Sequence, residues 1–541
     1  MKSSGREAGT VVLMRETRAA AAAARIAGVA ALTAGCAALA VGCGGSSPTT
    51  DRGATGESQP ASAGGRLVYG TASGISQLDP HTRSAAQQLV VHPLLFDGLT
   101  RAGRNGETEP GLAESWRASP DQRTWTFTLR SGVRFHDGTP FDSRAVKANL
   151  ERVLDPRVPN PDRTKIEMIA SIGTPSPTRL VLRLSAPNAL LPDALAASSL
   201  VMVQPRTFST AAKAAVGTGP FKLAEMVPDD HVTLVRNDDY WGEQANLDEI
   251  EIVRSPDATA AATAFRSGDL DVLWSVPPAD VDGLVAATQG RALEPEDISA
   301  GVYWEVDNAS PPFDDVRARQ ALLHAIDRET MLRVAYAGKG LVPETASMLS
   351  PRNQAFEASL AAYPFDLDRA RALFAEAGVG AGETLTFLTP AGQFPEWAQM
   401  GQILQEDLKK IGITLKIQRE EFSTWLEAFY PAGKRFPGTI VANYLSLPTT
   451  PMYQLSFLNE GVCECNARLP GWRELSSRAV ATGDAAERDG IYAQLQEVQN
   501  RAVPVLPIAF TTLQTVVQPD VVGAWVDTQG NVDLTQAGFA R

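Results

Sequence analysis

The sequence predicts an α/β protein of two or three domains, and three observations carry that expectation. A chain of 541 residues is too long to fold around one hydrophobic core. Residues 124–130, "TWTFTLR", alternate strictly: Trp125, Phe127 and Leu129 point one way, Thr124, Thr126 and Thr128 the other, as in a half-buried strand. Further on, "PEWAQMGQILQEDLKKIG" runs into "ITLKI", a helix, a glycine stop and an alternating strand, the unit of a parallel or mixed sheet covered by helices. Hydrophobic content of 44% with 21% charge is ordinary for a soluble globular chain. A formal net charge of −13 without basic clusters argues against nucleic-acid binding.

In chain order, Lys2, Arg6, Arg15, Arg18 and Arg25 precede the uncharged stretch 26–42, "IAGVAALTAGCAALAVG". These are a charged region and an apolar region slightly short for a membrane span, which together read as a signal peptide over 1–42. The stretch ends "AVGC", with Ala40 and Gly42 flanking Val41 before Cys43. This resembles a bacterial lipobox, whose Cys becomes the lipidated N-terminus of the mature protein. Cys36, in "TAGC", is a second candidate; Cys43 is preferred because processing at Cys36 leaves "AALAV" in the mature tail. An ordinary secretory signal or an uncleaved anchor is the plainer alternative. Residues 43–65 then form the lipidated Cys and a Gly/Ser/Thr/Ala/Pro-rich tether with a reach of roughly 25 Å.

The body opens with the strand "RLVYGTA" and the loop "SGISQLDPH". After the alternating strand comes "GVRFHDGTPF", 132–141, where His136 and Asp137 stand side by side. Asp-Gly is a strong turn dipeptide, and His136 needs further partners and a nucleophile for triad chemistry. No GxSxG, HExxH or P-loop pattern occurs in the chain, so the pair reads as a turn and the protein as no enzyme. Asp142 or Ser143 caps a helix with Val146, Leu150 and Val153 on one face. "HVTLVRN" and "LDEIEIVRS" are strands. "DLDRARALFAEAG" places Ala370, Leu373, Phe374 and Ala377 together and stops at Gly378. The next helix aligns Trp397, Met400, Leu404, Leu408 and Ile411 before Gly412, and Ile413, Leu415 and Ile417 alternate after it. Ile491, Leu495 and Val498 mark a last helix before "VPVLPIAF", whose prolines suit a strand entry or an edge. Cys463 and Cys465 are the cysteines of the body. A bridge between them closes a small ring, and His81, His92, His136, His231 and His324 offer no ligand spacing. Free thiols or a labile disulfide are expected, and no zinc site.

Taken in order, these segments resemble the family-5 solute-binding proteins of ABC importers, which include oligopeptide-, dipeptide- and nickel-binding proteins. The matching blocks are "LDPH" (78–81), the long block from "LLFDGLTRAG" to "FHDGTPFDS" (94–143), "GTGPFKL" (217–223), "LVRNDDYWGEQANLDEIEI" (234–252), "AFRSGDLDVL" (264–273), "PPFDDVRARQALLHAIDRETML" (311–332), "YPFDLDRARALFAEAG" (363–378) and "LQEDLKKIGI" (404–413). The resemblance implies a two-lobed periplasmic-binding-protein-like fold (type II, cluster C) of three domains with mixed sheets and a hinge. Domain I is then 66–97, 215–300 and 505–541, domain II 98–214, and domain III 301–504. It also implies an extracytoplasmic monomer without cofactor or resident metal, anchored through lipid to the cell membrane, with a short peptide or similar small solute and ABC permease subunits as partners.

Peptide-binding relatives carry a W-x-A-D-Y type loop whose Asp pairs with the peptide ammonium. The best match is "TIVANYLSLPTTP", 439–451, where Asn443 stands in place of the Asp. An amide forgoes the charge-assisted bond, a loss of about 1–2 kcal/mol; Glu460 or Glu464 could supply the charge. Nickel-binding relatives place a His in the following loop; here Cys463 falls nearby, so a soft metal or a metallophore is a conceivable cargo. Tyr303, Trp304, Trp425 and Tyr444, with Leu445 beside it, are the aromatic and apolar contact candidates, although core packing is the plainer explanation of each taken alone. Ser73, Gly74 and Ile75 are main-chain contact candidates, with Asp79 and Pro80 fixing their loop. The readings in play are a peptide-binding protein, the same fold holding a metal chelate, opine or other small amino-acid derivative, and, remotely, a surface hydrolase or sensor.

Overall fold

The computed structural model describes residues 61–541 except 83–87, 105, 296, 392–393, 422–423, 426–434, 447–449, 461 and 464. Cys43, the signal segment and most of the tether lie outside them, as does Glu464.

Arg66–Thr71, the opening strand, lies near the middle of a seven-stranded sheet. Its neighbours run Arg291–Leu293, Gln514–Val517, Val272–Val276, Arg66–Thr71, Glu249–Arg254, His231–Arg236, Phe221–Val227 across the sheet. Arg66–Thr71 pairs parallel with both Glu249–Arg254 and Val272–Val276; the outer pairs are antiparallel. Leu67, Tyr69, Phe221, Val232 and Ile250 form its core. Helices Ala258–Ser267 and Val281–Thr288 cover one side through Phe265 and Leu284.

The alternating segment Thr124–Leu129 sits in a separate four-stranded antiparallel sheet, between Ala113–Ala118 and Arg179–Leu184, with Ile169–Ser176 outermost. Trp125, Phe127 and Leu129 are buried against Val146, Leu150 and Val153 of helix Ser143–Leu154, as the period of two requires. The helix starts at Asp142, whose Oδ1 accepts from the N–H groups of Arg144 (2.9 Å) and Ala145 (3.1 Å), satisfying two orphan donors.

The third sheet is five-stranded, in the order Thr414–Glu420, Thr384–Pro390, Thr439–Ser446, Ala300–Val306, Val505–Phe510. The helix, glycine, strand unit of the sequence makes its parallel part: helix Pro395–Lys410 ends, Gly412 turns the chain at φ 86°, and Thr414–Glu420 joins Thr384–Pro390 in parallel. Ala300–Val306 pairs antiparallel on both sides. Helices Leu367–Glu376 and Pro395–Lys410 pack on one face with Trp304, and helix Ala485–Ala502 packs on the other with Tyr303.

Val505–Phe510 differs from the domain limits expected above, which open the last part of domain I at 505. Every residue of this strand is buried, and an apolar run of that kind needs cover on both faces. The five-stranded sheet between two helical layers supplies it. Pro507, lacking an N–H, is accommodated because the strand lies at the sheet edge.

Two quoted motifs meet at one place. In the "FHDGT" turn Gly138 takes φ 81°, and Asp137 Oδ1 accepts from the N–H (3.0 Å) and hydroxyl (2.6 Å) of Thr139. His136 reaches into "GTGPF": its backbone N–H donates to the Gly217 carbonyl (2.9 Å), and its Nδ1 accepts from the Gly217 N–H (3.2 Å). Nε2 therefore carries the proton and donates to the Gly219 carbonyl at 3.1 Å. His136 is a structural clamp between the four-stranded unit and the segment entering the seven-stranded sheet. Gly217 is required by close approach, because a Cβ there would lie 1.9 Å from the Leu95 carbonyl oxygen. Gly217→Ala is expected to destabilise the protein by about 2–3 kcal/mol through overpacking, read as a lower denaturant midpoint at unchanged slope.

Burial lowers the His136 pKa to about 4. The folded state thus holds the neutral ring while the unfolded chain titrates near its ordinary value of about 6.5. The stability His136 contributes is present above the unfolded value and is lost as pH falls towards 4. The stability gap between His136→Gln and wild type is therefore expected to narrow from pH 6.5 to pH 4; a gap that widens on acidification contradicts the clamp.

Candidate functional site

In open α/β sheets, ligands bind beyond the carboxyl ends of parallel strands. In the seven-stranded sheet these ends follow Thr71, Arg254 and Val276. A cavity of about 60 Å³ lies there, lined in part by Ala72, Ser255, Trp274, Ser275, Pro277 and Asp280. Ser275 has φ 60°, at the bulge where the pairing with Gln514–Val517 shifts register. A non-glycine residue in that region costs about 1–3 kcal/mol and marks a place the surroundings hold in strain. Nothing in "LWSVPP" announced it, since serine carries no left-handed signal.

The loop after Thr71 is fixed by its main chain. A Cβ on Gly74 would lie 2.4 Å from Asp229 Cα, and the Asp229 N–H donates to the Ile75 carbonyl at 3.1 Å. Ser73 is exposed, whereas Ile75 enters the core beside Leu67. Asp79 forms an ion pair with Arg152, one bond at 3.0 Å, and accepts from the His81 N–H at 3.1 Å.

In the five-stranded sheet the parallel strands end at Pro390, Glu420 and Ser446. Parts of the loops that follow lie outside the described residues. Several contacts lie where this unit meets the other two. Lys339 Nζ donates to Asp282 Oδ1 at 2.8 Å, the Thr511 hydroxyl donates to the Lys339 carbonyl at 3.1 Å, and the Tyr444 hydroxyl donates to the Thr511 carbonyl at 3.5 Å. Along a second seam the Ala189 N–H donates to the Val480 carbonyl (2.7 Å), the Tyr453 hydroxyl donates to the Leu190 carbonyl (3.1 Å), and Lys165 Nζ stands 5.1 Å from the Tyr453 ring centre. Beside Tyr444, Asp527 Oδ1 accepts from the N–H groups of Gln529 (2.9 Å) and Asn531 (2.8 Å), and burial pushes this carboxyl up to about 6. Sequence reasoning missed Asp527 because nothing in "VDTQGN" separates a half-buried acid with a raised pKa from an ordinary turn aspartate.

Of the expected contact residues, Ser73, Gly74 and Tyr444 keep accessible surface, and the others are buried. Tyr303 and Trp304 are both 0% exposed and point to opposite faces of their strand. The Tyr303 hydroxyl donates to the Met348 carbonyl (3.3 Å), and the Trp304 ring packs edge-on against Phe387 at 4.9 Å. Trp425 packs near Trp397, and Leu445 lies in the core with Tyr303. Asn443 stands opposite Tyr303 in the ladder, and its Nδ2 donates to Glu305 Oε1 at 2.9 Å. Cys463 is joined to Cys465 by a disulfide, with its Sγ 3.5 Å from Glu305 Oε2. Glu460 is exposed and pairs with Arg473 at 4.0 Å. Among the described residues no helix is long and apolar enough to cross a membrane.

Two mixed α/β units, joined by the chain at 293–300 and 510–514 and each presenting the carboxyl ends of parallel strands, define a two-lobed solute-binding protein. Residues 107–461 match the model of the bacterial extracellular solute-binding proteins, family 5, and the chain belongs to that family, whose members bind solutes and are not enzymes. It is 26% identical over 476 residues to the nickel-binding periplasmic protein of Escherichia coli (strain K12), covering 83% of this chain and 89% of the relative. It is 26% identical over 481 residues to the glutathione-binding protein GsiB of Salmonella paratyphi A, covering 86% and 93%. Among solved structures, the periplasmic binding protein AgaA in complex with agropinic acid, from A. tumefacien R10, superposes with a TM-score of 0.76 at 25% identity, covering 88% of this chain and 99% of that one.

The Asn443–Glu305 bond makes a prediction. Asn443→Asp sets a second carboxylate against Glu305, and two such groups cannot both ionise at low cost. The variant is expected to lose about 2 kcal/mol of stability at pH 7. Part of that loss should return towards pH 5 as the pair takes up a shared proton. A pH-independent loss excludes the contact.

Proposed function

We propose that this protein is the extracytoplasmic substrate-binding lipoprotein of an ABC importer, capturing short peptides between its lobes and delivering them intact to the permease. The observation that carries the reading is that two mixed α/β units, joined by two passages of chain, each end in the carboxyl edges of parallel strands, in a chain of this family. A solute touching both edges favours the closed arrangement by as much as it binds that arrangement better, which gives a permease a loaded state to recognise. Main-chain hydrogen bonds to an extended peptide provide affinity without demanding a sequence; the pinned loop 73–75 is suited to offer them. Lipid on Cys43 and the tether to residue 65 would hold the monomeric body near the permease and raise its effective concentration. The division into domain I (66–97, 215–300, 505–541), domain II (98–214) and domain III (301–504) is part of this proposal, with the strand Val505–Phe510 shared into the sheet of domain III.

A second reading keeps the fold and takes a metal chelate, an opine or another small amino-acid derivative as cargo. Asn443 favours it: at the position matching the ammonium-binding Asp there is a buried amide already engaged by Glu305. The nickel-binding relative and the agropinic acid complex of AgaA give it precedent.

Native mass spectrometry of freshly purified protein separates the two, because an enclosed cleft retains cargo. The peptide reading expects a ladder of peptide masses, and calorimetric binding of di- to pentapeptides once refolding has stripped that cargo, with the peptides recovered uncut. A single chelate or opine mass, with no peptide bound, establishes the second reading instead.

A further inference from the structure

On the face of the five-stranded sheet covered by helix Ala485–Ala502, Glu305, Cys463 and Cys465 converge. All three are buried, and one potential ligand atom from each lies within 4.8 Å of the others. Cys463 Sγ is 3.5 Å from Glu305 Oε2. That separation equals the edge of a tetrahedral site with a metal–sulfur distance of about 2.3 Å and a metal–oxygen distance of about 2.0 Å, which comes to about 3.5 Å. The other carboxylate oxygen accepts from Asn443 Nδ2 at 2.9 Å, the outer contact that commonly orients a ligating carboxylate. Cys465 is held as well: its N–H reaches Cys463 Sγ at 3.2 Å, and its carbonyl accepts from the N–H (2.8 Å) and the Nδ2 (2.9 Å) of Asn308. Val462, directly before Cys463, is 49% exposed.

We propose that the Cys463–Cys465 disulfide is the closed form of a site for a thiophilic divalent cation such as Zn²⁺ or Cd²⁺, opened by reduction and held by the two thiolates and Glu305. A disulfide has no thiolate to give. Exchange with an external dithiol breaks the Sγ–Sγ bond, passes two electrons and two protons to the sulfurs and closes the dithiol to its own disulfide. The cation then displaces the two thiol protons, and the sulfurs part to about 3.8 Å, the tetrahedral sulfur–sulfur edge. A water completes four-coordination. Soft sulfur ligands select such ions over Mg²⁺ or Ca²⁺. The site stands whatever cargo the interlobe cleft takes.

The test uses the whole protein reduced by a water-soluble tertiary phosphine, which takes oxygen from water while the two sulfurs each gain a proton. After desalting under argon, Co²⁺ is titrated in and the near-ultraviolet thiolate-to-cobalt band is read. The reduced wild type is expected to bind one equivalent, released by Zn²⁺, while the unreduced protein shows no band. Cys463→Ser should abolish the band. Glu305→Gln, which keeps both thiols and the shape of the side chain, should weaken binding by about tenfold or more, with folding checked by circular dichroism. Two freed thiols that give no band, a band indifferent to Glu305→Gln, or a disulfide that the phosphine does not open in the native protein would each overturn the proposal.

Discussion

The antiparallel pairing of Ala300–Val306 with Val505–Phe510 is the constraint on which the rest of the molecule depends. Both strands sit within the five-stranded sheet, and each is continuous with a passage of chain to the seven-stranded sheet, one entering through 293–300 and the other leaving through 510–514. Their ladder is sheet hydrogen bonding under buried side chains, so it does not yield easily. The few residues beyond the strand ends are what remains to absorb a change of angle between the lobes, which is how hinges in two-lobed binders work. One pairing thus fixes where the lobes join.

Contacts across that junction are of a different kind from those within the sheets. Among the described residues they include single hydrogen bonds, an ion pair between Lys339 and Asp282, a cation held over the Tyr453 ring, and Leu190 buried in the apolar cluster that holds Tyr303. An exposed pair is worth about 0–1 kcal/mol. A solute that touches both lobes favours one arrangement over the other only by as much as it binds that arrangement better. The cores beneath are built to the opposite specification. His136 bonded three ways to the Gly217–Gly219 segment, and Asp79 paired with Arg152, lock the four-stranded unit onto the first lobe.

What the sequence made legible was whatever depends on periodicity and turn chemistry. The alternation of Trp125, Phe127 and Leu129, the cap at Asp142, the Gly412 stop and the tolerance of Pro507 at an edge follow from local rules, and the structure has them. The family was legible because several turn and cap motifs occur in one order. The candidate site was much less so. Tyr303 and Trp304 are neighbours in sequence and face opposite helical layers, and the facing of Asn443 towards Glu305 follows from its pairing opposite Tyr303. A shift of one residue in register would exchange these faces, and register is a property of the partner strand. The strained Ser275 and the half-buried Asp527 depend on a bulge and on packing that no short stretch encodes. The Cys463–Cys465 bond lay within the alternatives the spacing left open, whereas its neighbour Glu305 could not be read from a position far away in the chain.

Under the proposed function the lobes close on a guest about the paired strands and reopen when it leaves. Small-angle X-ray scattering tests it most directly, comparing protein freed of cargo by unfolding and refolding with the same protein saturated with the solute identified in it. Loading is expected to give a smaller radius of gyration and a shorter maximum dimension, both reversed when the solute is removed. Superimposable profiles in the two states, with the solute demonstrably bound, would contradict it.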